Sequence, residues 1–372
     1  MLSRGAVKRV VVKVGSGVLA EGGTFDGRVL GRLAGEMAAA RARHVQVILV
    51  SSGAVALGVE ALGLKRRPGD LVGLQAAAAV GQARLVDRWS RAFARRGVRV
   101  AQVLLTHADL DHRGRYLNAR HTLARLLRLG VLPIVNENDS VAVEEIRLGD
   151  NDLLASVVTG LVGADLLVLL TDVDGLYDAD PAAHPGARRL ERVSPDDPRL
   201  DAFAGGSRSG LGTGGMATKV QAARRASALG VPTVIAAGRA PGVLEAALSG
   251  RPEGTLIEAA PEARLSARKS WLAHATKPRG RIEVDAGARA AIVERGKSLL
   301  PPGILAVEGT FREGDAVEIA EGGEVFAIGL SVYDAKSVRR LIGARTREIE
   351  ARLGYRLLDE VVHRDDLVVL RR

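Results

Sequence analysis

The chain has 372 residues, a formal net charge of +10 and no cysteine. A chain of this length holds about two domains of roughly 150 residues, and it can bury a core without disulfides or structural metals. The absence of cysteine excludes thiol catalysis, thiolate metal sites and a disulfide framework. With 47% hydrophobic and 26% charged residues, the composition excludes a disordered or fibrous protein.

Two segments bear on where the protein resides. The most apolar stretch, Leu153–Leu170, contains Asp165 and two glycines, so we do not expect it to cross a membrane. Residues 1–9 are basic but lack an apolar segment before the first predicted strand, so no signal peptide is predicted. We therefore expect a cytoplasmic protein.

Up to about residue 260, short apolar strands alternate with segments of helical length. The predicted strands are 9–14, 45–50, 98–105, 132–136, 166–171 and 233–236, and the predicted helices are 29–43, 71–95, 113–129 and 218–229. This alternation favours an α/β fold with a mainly parallel sheet sandwiched by helices. Ligands of such sheets bind at the carboxyl ends of the strands, so the residues after each strand are candidates for a site.

The composition changes at residues 260–280, a segment that is typical of a connector. Beyond it, short strand-like pieces surround one helical segment at 337–344; the pieces are 281–284, 316–319, 325–329 and 367–370. We predict a small β-rich domain here. Residues 275–372 contain 17 Lys/Arg and 16 Asp/Glu, so the positive charge lies in the first domain. Because the basic residues are dispersed, the charge does not favour nucleic acid as a partner.

Two strand ends carry groups that suit an anion. Lys13 lies near the end of the first strand, just before Gly15-Ser16-Gly17, where backbone N–H groups can approach a phosphate that the ammonium neutralises. The alternative is a lysine that reaches solvent from a strand end. Ser51-Ser52-Gly53 follows the second strand and suits a carboxylate or phosphate, although a serine N-cap also explains it.

Amide and carboxyl side chains follow the fourth strand. Asn136-Glu137-Asn138-Asp139 ends this strand, and Gly149-Asp150-Asn151-Asp152 follows a few residues later. Together they can hold the ammonium and carboxylate of a zwitterion, and a hard cation. A solvated loop is the alternative interpretation.

A glycine-rich loop precedes the last predicted helix of the first domain. Residues 210–219 have the sequence GLGTGGMATK, with four glycines in six positions before a threonine and a lysine at the start of the helix. This placement favours a phosphate cradle. A flexible loop would explain the glycines but not their position relative to Lys219.

Taken in order, these motifs resemble those of the glutamate 5-kinases in the amino-acid kinase superfamily, over essentially the whole chain. The matching segments are VVVKVGSGVL, SSGAVALG, NENDSVA, GDNDLLA, TDVDGLYDADP and SGLGTGGMATK. The SSGA segment keeps the hydroxyl of the TSGA found in many relatives. From about Arg281, GKSLLPPGI and VHRDDLVVL resemble a PUA domain. The resemblance implies an amino-acid kinase domain at 1–262, a linker at 263–279 and a PUA-like domain at 280–372.

The resemblance also implies a reaction and the residues that carry it out. The reaction is phosphorylation of the L-glutamate side-chain carboxylate by ATP with Mg²⁺, the first step of proline biosynthesis. Lys13 and Lys219 would contact the transferred phosphoryl group, and Asp152, or less strongly Asp150, would organise the two lysines. The glutamate-binding positions would be Ser52, Asp139 and Asn151. The nucleotide-binding positions would be Lys13, Thr171, Asp172, Thr213, Gly214, Gly215, Met216, Ala217, Thr218 and Lys219.

The implied chemistry agrees with the residue content. A glutamate side chain, with an ordinary pKa of about 4.3, is already ionised at neutral pH and needs no general base. Catalysis would then come from positioning and charge neutralisation, for which two lysines are suited. We expect the histidines to be packing or surface residues, and we expect no magnesium cage made only of protein ligands.

The resemblance implies a homo-oligomer and feedback inhibition by proline at or near the glutamate pocket. Rival acceptors are N-acetylglutamate, aspartate, carbamate and a nucleoside monophosphate. A rival of another class is an RNA-binding protein that uses the C-terminal domain, but the near-neutral charge of that domain argues against it.

Overall fold

The three-dimensional structure is a computed structural model that describes residues 7–21, 24–111, 113–141, 151–179, 181, 184–200, 215–251, 253–259 and 278–370. The chain divides into two compact units, one comprising residues 1–111 and 118–264 and the other residues 112–117 and 265–372. Most of the predicted linker at 263–279 lies outside the described residues.

The first unit is organised around one large sheet. In chain order its strands are β1 (Arg9–Val14), β2 (Ala20–Glu21), β3 (Thr24–Phe25), β4 (Gln46–Ser51), β5 (Val100–Leu105), β6 (Leu132–Glu137), β7 (Leu166–Thr171), β8 (Arg192–Val193), β9 (Thr233–Ala237) and β10 (Gly254–Ile257). Among the described residues, the sheet order is β5-β6-β4-β1-β7-β9-β10-β8, while β2 and β3 form a separate antiparallel pair. The neighbours from β5 to β9 are parallel, and β10 runs antiparallel to β9. The prediction of a mainly parallel sheet is confirmed.

Helices follow most of these strands. They are α1 (Ser16–Leu19), α2 (Gly27–Ala42), α3 (Ala54–Ala61), α4 (Leu71–Ala94), α5 (His107–Asp111), α6 (Arg113–Arg128), α7 (Asn151–Val162), α8 (Met216–Ala228) and α9 (Val243–Leu248). Side-chain caps define two of the helix starts: Asp26 accepts from the backbone N–H groups of Arg28 and Val29, and Asp70 accepts from that of Gly73. Each of the six predicted strands and four predicted helices is present within two residues of its predicted ends.

The central strands are buried because helices cover both faces of the sheet. In β1, Val10, Val11, Val12 and Val14 are fully buried, and every residue of β7 is buried. Strands of this kind have nearly continuous apolar sequences, which is why they were identifiable from the sequence. The bounds of two helices that border the site, α3 and α7, were not predicted, since α3 is short and α7 merges with the apolar run that continues into β7. The N-cap of α3 is Gly53, so the interpretation of a serine N-cap at this position was wrong.

The second unit has its own sheet and core. Its strands are β11 (Gly280–Val284), β12 (Ile304–Gly309), β13 (Ala316–Glu321), β14 (Glu324–Ser331) and β15 (Val362–Val369), in the order β12-β11-β13-β14-β15. Its helices are α10 (Ala286–Val293), α11 (Ala335–Leu341) and α12 (Ile349–Leu353). The core includes the fully buried Tyr333, whose hydroxyl receives hydrogen bonds from the backbone N–H groups of Leu357 and Leu358.

The prediction for this unit was less complete. The edge strand β12 and the helices α10 and α12 were not predicted. The side chains of β12 are mostly exposed, so this strand lacks the apolar pattern of a buried strand. The predicted helix at 337–344 is α11, which starts two residues earlier because Asp334 caps it. Within the described part of the chain, no helix combines the length and hydropathy that a membrane crossing requires.

Candidate active site

The candidate site lies at the carboxyl ends of neighbouring parallel strands. Lys13 of β1 is in register with Val50 of β4 on one side and with Leu169 of β7 on the other. The segments that follow β1, β4 and β7 therefore meet at one edge of the sheet. This is the edge at which open α/β sheets bind their ligands.

The centre of the site is a buried carboxylate shared by two lysines. The Nζ of Lys13 lies 2.7 Å from Oδ1 of Asp152, and the Nζ of Lys219 lies 3.2 Å from its Oδ2. Asp152 is fully buried, and each lysine is only 4% exposed. The three residues come from β1, α7 and α8, so the fold joins positions that are more than 200 residues apart in the chain.

The electrostatics of this cluster follow from burial and from the opposite charges. Burial acts to raise the pKa of Asp152, but Lys13 and Lys219 outweigh it and hold that pKa at about 2. Burial lowers the pKa of Lys219, and Lys13 lowers it further, while Asp152 acts in the opposite direction. With two ammonium groups and one carboxylate, the cluster has a net charge of about +1 when all three are ionised, which suits a phosphate group.

The start of α8 contributes to the same cluster. The Oγ1 of Thr218 donates to Oδ2 of Asp152 and to the backbone oxygen of Gly215, each at 2.8 Å. Gly215 is the N-cap, and within the described part of the chain no side chain caps this helix, so its first N–H groups are available to an anion. Met216 and Ala217 form the first turn. Thr213 and Gly214 of the predicted cradle lie outside the described residues.

Two glycines of the segment after β1 lie beside charged side chains. The N–H of Gly15 donates to the oxygen of Leu170 at 3.1 Å, and a Cβ at this position would lie 3.3 Å from the same oxygen and 3.5 Å from Nζ of Lys13. A Cβ on Gly17 would lie 3.4 Å from Oδ2 of Asp172. Glycine therefore leaves room next to the lysine for a ligand.

At the end of β7, Thr171 and Asp172 form a local hydrogen bond. The buried Thr171 donates through Oγ1 to Oδ1 of Asp172 at 2.8 Å, and its backbone oxygen accepts from Gly238. Asp172 itself is exposed. The carboxylate is therefore held in place at the rim of the site, close to Gly17.

A row of polar side chains connects β4, α7, β6 and α4. Asn151 donates through Nδ2 to Oγ of Ser52 at 2.9 Å and to Oδ1 of Asn136 at 3.0 Å. Asn136 in turn donates through Nδ2 to Oε1 of Gln82 at 2.6 Å. We call these four residues the amide row. Asn136 is buried, and Ser52 and Asn151 are partly buried.

Asp139 follows β6 as a half-buried carboxylate. Burial raises its pKa to about 6, and the positive charge of Arg67 opposes this increase only in part. A carboxylate in such surroundings is stabilised by a cation, and an α-ammonium group is one that an amino-acid substrate would bring.

The structure thus brings most of the predicted site residues together. Lys13, Asp152, Thr218 and Lys219 are connected directly, and Asn151 is hydrogen-bonded to Ser52. Asp150 lies outside the described residues. Gln82 was not predicted, because its only local signal is that it is the single polar residue in the apolar helical segment AAAAVGQA. Asn136 belongs to a predicted polar segment but had no individual role.

Comparison with known proteins agrees with this geometry. Residues 8–237 match the family described as "Amino acid kinase family", and residues 280–353 match the PUA domain. The chain is 53% identical to "Glutamate 5-kinase" of Myxococcus xanthus (strain DK1622) over 367 residues, which cover 98% of this chain and 97% of that protein. It is 49% identical, over 98% of each chain, to the protein of the same name from Geobacter sulfurreducens (strain ATCC 51573 / DSM 12127 / PCA).

Proposed function

Because this chain belongs to the amino acid kinase family, we propose that it is an ATP-dependent kinase that phosphorylates the side-chain carboxylate of L-glutamate. The product would be L-glutamyl 5-phosphate, and the reaction would be the first step of proline biosynthesis. Identity of about 50% to glutamate 5-kinases over nearly the full length supports this choice of acceptor. The observation that carries the proposal is the buried Lys13–Asp152–Lys219 cluster.

The cluster accounts for catalysis by charge neutralisation. A carboxylate oxygen of the acceptor attacks the γ-phosphorus, a new P–O bond forms, and ADP leaves with the electron pair of the broken bond. The ammonium groups of Lys13 and Lys219 stabilise the negative charge of the transferred group and of the leaving oxygen. Asp152 holds both lysines in place, and no residue has to remove a proton from an acceptor that is already ionised.

The nucleotide would bind at the ends of β7 and β1 and at the start of α8. We propose that Thr171, Asp172 and the segment from Thr213 to Lys219 bind ATP. The uncapped first turn of α8 supplies N–H donors to its phosphates. The glycine positions after β1 leave room for the same phosphates beside Lys13.

The acceptor would be bound by Ser52, Asp139 and Asn151. Their chemistry suits an amino acid, because Asp139 offers an anion to the α-ammonium group and the amide row offers both donors and acceptors. We also propose that proline competes at or near this pocket, since it has the same ammonium and α-carboxylate groups.

Magnesium fits this site as an ion carried by the nucleotide. Among the described residues, no group of three or more His, Asp or Glu side chains is placed to hold a metal ion, and Asp152 is already paired with two lysines. When bound to the phosphates, Mg²⁺ would neutralise part of their charge. Among the described residues, Asp172 is an exposed carboxylate beside Gly17 and would be the protein contact of the ion.

Three further proposals follow from family membership. We propose a homo-oligomer, a cytoplasmic location, and division of the chain into a kinase domain at 1–262 and a PUA-like domain at 280–372, joined by residues 263–279. Residues 275–372 are nearly neutral, and this argues against a role of this part of the chain in binding the phosphate backbone of a nucleic acid.

An acceptor screen tests the function. The purified protein is incubated with Mg-ATP and hydroxylamine, which traps an acyl phosphate as a hydroxamate, and with L-glutamate, L-aspartate or N-acetyl-L-glutamate. We expect hydroxamate from L-glutamate alone. Product only from another acceptor would leave the phosphate site in place but overturn the assignment of Asp139 and Asn151, and no product from any acceptor would overturn the proposed function.

A further inference from the structure

We propose that Gln82 is a positioning residue for the acceptor: through Asn136 it sets the direction of the amide group of Asn151. The assignment rests on the proposed function, because it assumes that Asn151 contacts the amino-acid substrate. Gln82 lies on α4, outside every segment that follows a strand of the sheet. Nothing in the sequence motifs of the site points to it.

The hydrogen bonds of the amide row run in one direction. Oε1 of Gln82 accepts from Nδ2 of Asn136, which leaves Oδ1 of Asn136 to accept from Nδ2 of Asn151. The second N–H of Asn151 then donates to Oγ of Ser52. With both of its donors used, Asn151 has only its oxygen left to interact with a ligand.

Two members of the row have a buried side-chain atom without a hydrogen-bond partner among the described residues. These atoms are Nε2 of Gln82, at one end of the row, and Oδ1 of Asn151, next to Ser52 at the other end. Buried polar atoms are nearly always paired, so an unpaired one calls for an explanation. A ligand with a donor group explains the free oxygen of Asn151, and the α-ammonium of an amino acid is such a donor.

The reverse direction would also satisfy the inner members of the row. Gln82 would then donate through Nε2 to Asn136, Asn136 would donate to Asn151, and Ser52 would donate to Asn151. In that arrangement Asn151 would present N–H groups to the pocket and could not accept from an ammonium group. The direction of the row therefore decides whether Asn151 can accept from the α-ammonium group of an amino acid. In the structure Gln82 turns its oxygen toward Asn136, which gives the productive direction.

Substitutions at Gln82 separate this role from a purely structural one. Gln82→Leu removes the acceptor oxygen, and we expect the KM for L-glutamate to rise at least tenfold while kcat and the KM for ATP stay within twofold. Gln82→Glu keeps an oxygen that can only accept, and we expect its KM for L-glutamate to stay within threefold of the wild type. Ala83→Leu adds a leucine at the adjacent exposed position of α4 and should change none of these constants.

A double-substitution cycle tests the path of the effect. In an Asn151→Ala background, Gln82→Leu should change kcat/KM for L-glutamate by less than twofold, because the group that it orients is gone. An equal effect of Gln82→Leu in both backgrounds would overturn the proposal. An unchanged KM for L-glutamate in Gln82→Leu would also overturn it, and so would a tenfold increase of this KM in Gln82→Glu. If Gln82→Leu does not fold, the KM of Gln82→Glu decides the question. Wild-type turnover of L-glutamate is measured first, because its absence would overturn the proposed function rather than the role of Gln82.

Discussion

At the scale of single residues, the site depends on one carboxylate that two lysines share. A buried lysine needs a charge partner, and a buried aspartate needs one as well. Asp152 contacts both lysines, at 2.7 and 3.2 Å, so two buried ammonium groups are held around a single carboxylate. The resting site is therefore preorganised for an anion, and its lysines do not have to move into position during the reaction.

This arrangement makes a prediction about each lysine. Lys13→Ala and Lys219→Ala should each lower kcat by at least a hundredfold, because each removes one of the charges that stabilise the transferred group. The fold should survive, because Asp152 retains one partner in either variant. Hydroxamate formation measures the activity, and far-UV circular dichroism with thermal unfolding verifies the fold. Lys297→Ala, in the second unit, is a control that should keep full activity. Near-normal turnover in either site variant would contradict the assignment.

The raised pKa of Asp139 predicts a pH dependence. At pH 7 a carboxyl group with a pKa of about 6 is mostly ionised and can bind an ammonium group, whereas at pH 5 only about a tenth of it is. The KM for L-glutamate should therefore rise about tenfold from pH 7 to pH 5, while the glutamate side chain itself remains mostly ionised.

Steady-state kinetics at several pH values measure this dependence. In Asp139→Asn the KM should be high at pH 7 and change little down to pH 5, because the titrating group is absent. A wild-type KM that is constant over this range would show that Asp139 does not bind the acceptor as a carboxylate.

At the scale of elements, the crossing of α3 and α4 shapes the acceptor side of the site. A Cβ on Gly58 would lie 1.7 Å from the backbone oxygen of Ala77, and one on Gly81 would lie 1.8 Å from that of Ala54. The two helices are thus in backbone contact, which only glycine permits. The fully buried Trp89 of α4 also donates through Nε1 to Oγ of Ser51, one residue before Ser52. The position of Gln82 relative to Ser52 follows from these contacts.

Gly58→Ala should therefore be destabilising and should weaken acceptor binding. The helices must separate to admit the methyl group, and we expect the free energy of unfolding to fall by about 2–3 kcal/mol. The KM for L-glutamate should rise more than the KM for ATP, since α3 and α4 border the acceptor residues. Gly31→Ala is the matched control in α2, where nothing lies within 4 Å of the new Cβ. It should increase stability by up to about 1 kcal/mol through helix propensity. Chemical denaturation measures both changes, and equal stabilities of the two variants would contradict the close crossing.

At the scale of the whole molecule, the net charge bears on how substrates arrive. The formal charge of +10 belongs almost entirely to the part of the chain before residue 275, and both proposed substrates are anions. A positive field of this kind raises the local concentration of anions and is screened by salt.

We therefore expect kcat/KM for L-glutamate and for ATP to fall several-fold when the salt concentration rises from about 0.05 to 0.5 M. The kcat at saturating substrate should change less, because the buried cluster is poorly accessible to salt ions. Initial rates in sodium and potassium chloride measure the effect and control for specific ion binding. A kcat/KM that does not depend on salt would exclude a role for the net charge in substrate capture.

The sequence alone was sufficient to predict six strands and four helices of the first unit and to select most of the residues that meet in the candidate site. Buried parallel strands such as β1 and β7 carry continuous apolar runs, and that signal is local. Lys13 and Lys219 could be selected because each belongs to a motif at a strand end or a helix start, whereas the role of Asp152 was implied by the family resemblance. The edge strand β12 and the short helix α3 carry no comparable signal, because exposure and close packing depend on neighbours that are distant in the chain.

The contacts between the site residues required the folded chain. Lys13 and Lys219 are more than 200 positions apart in the chain, and no spacing in the sequence shows that both contact Asp152. The row of hydrogen bonds from Ser52 to Gln82 of α4 is likewise not visible in the sequence. The direction of a hydrogen bond and the burial of a side chain depend on contacts between different helices and strands. The pKa values of Asp139 and Asp152 depend on the same contacts. Residue types and local periodicity specify which elements form, whereas electrostatics and hydrogen bonding depend on distances that exist only once those elements have packed.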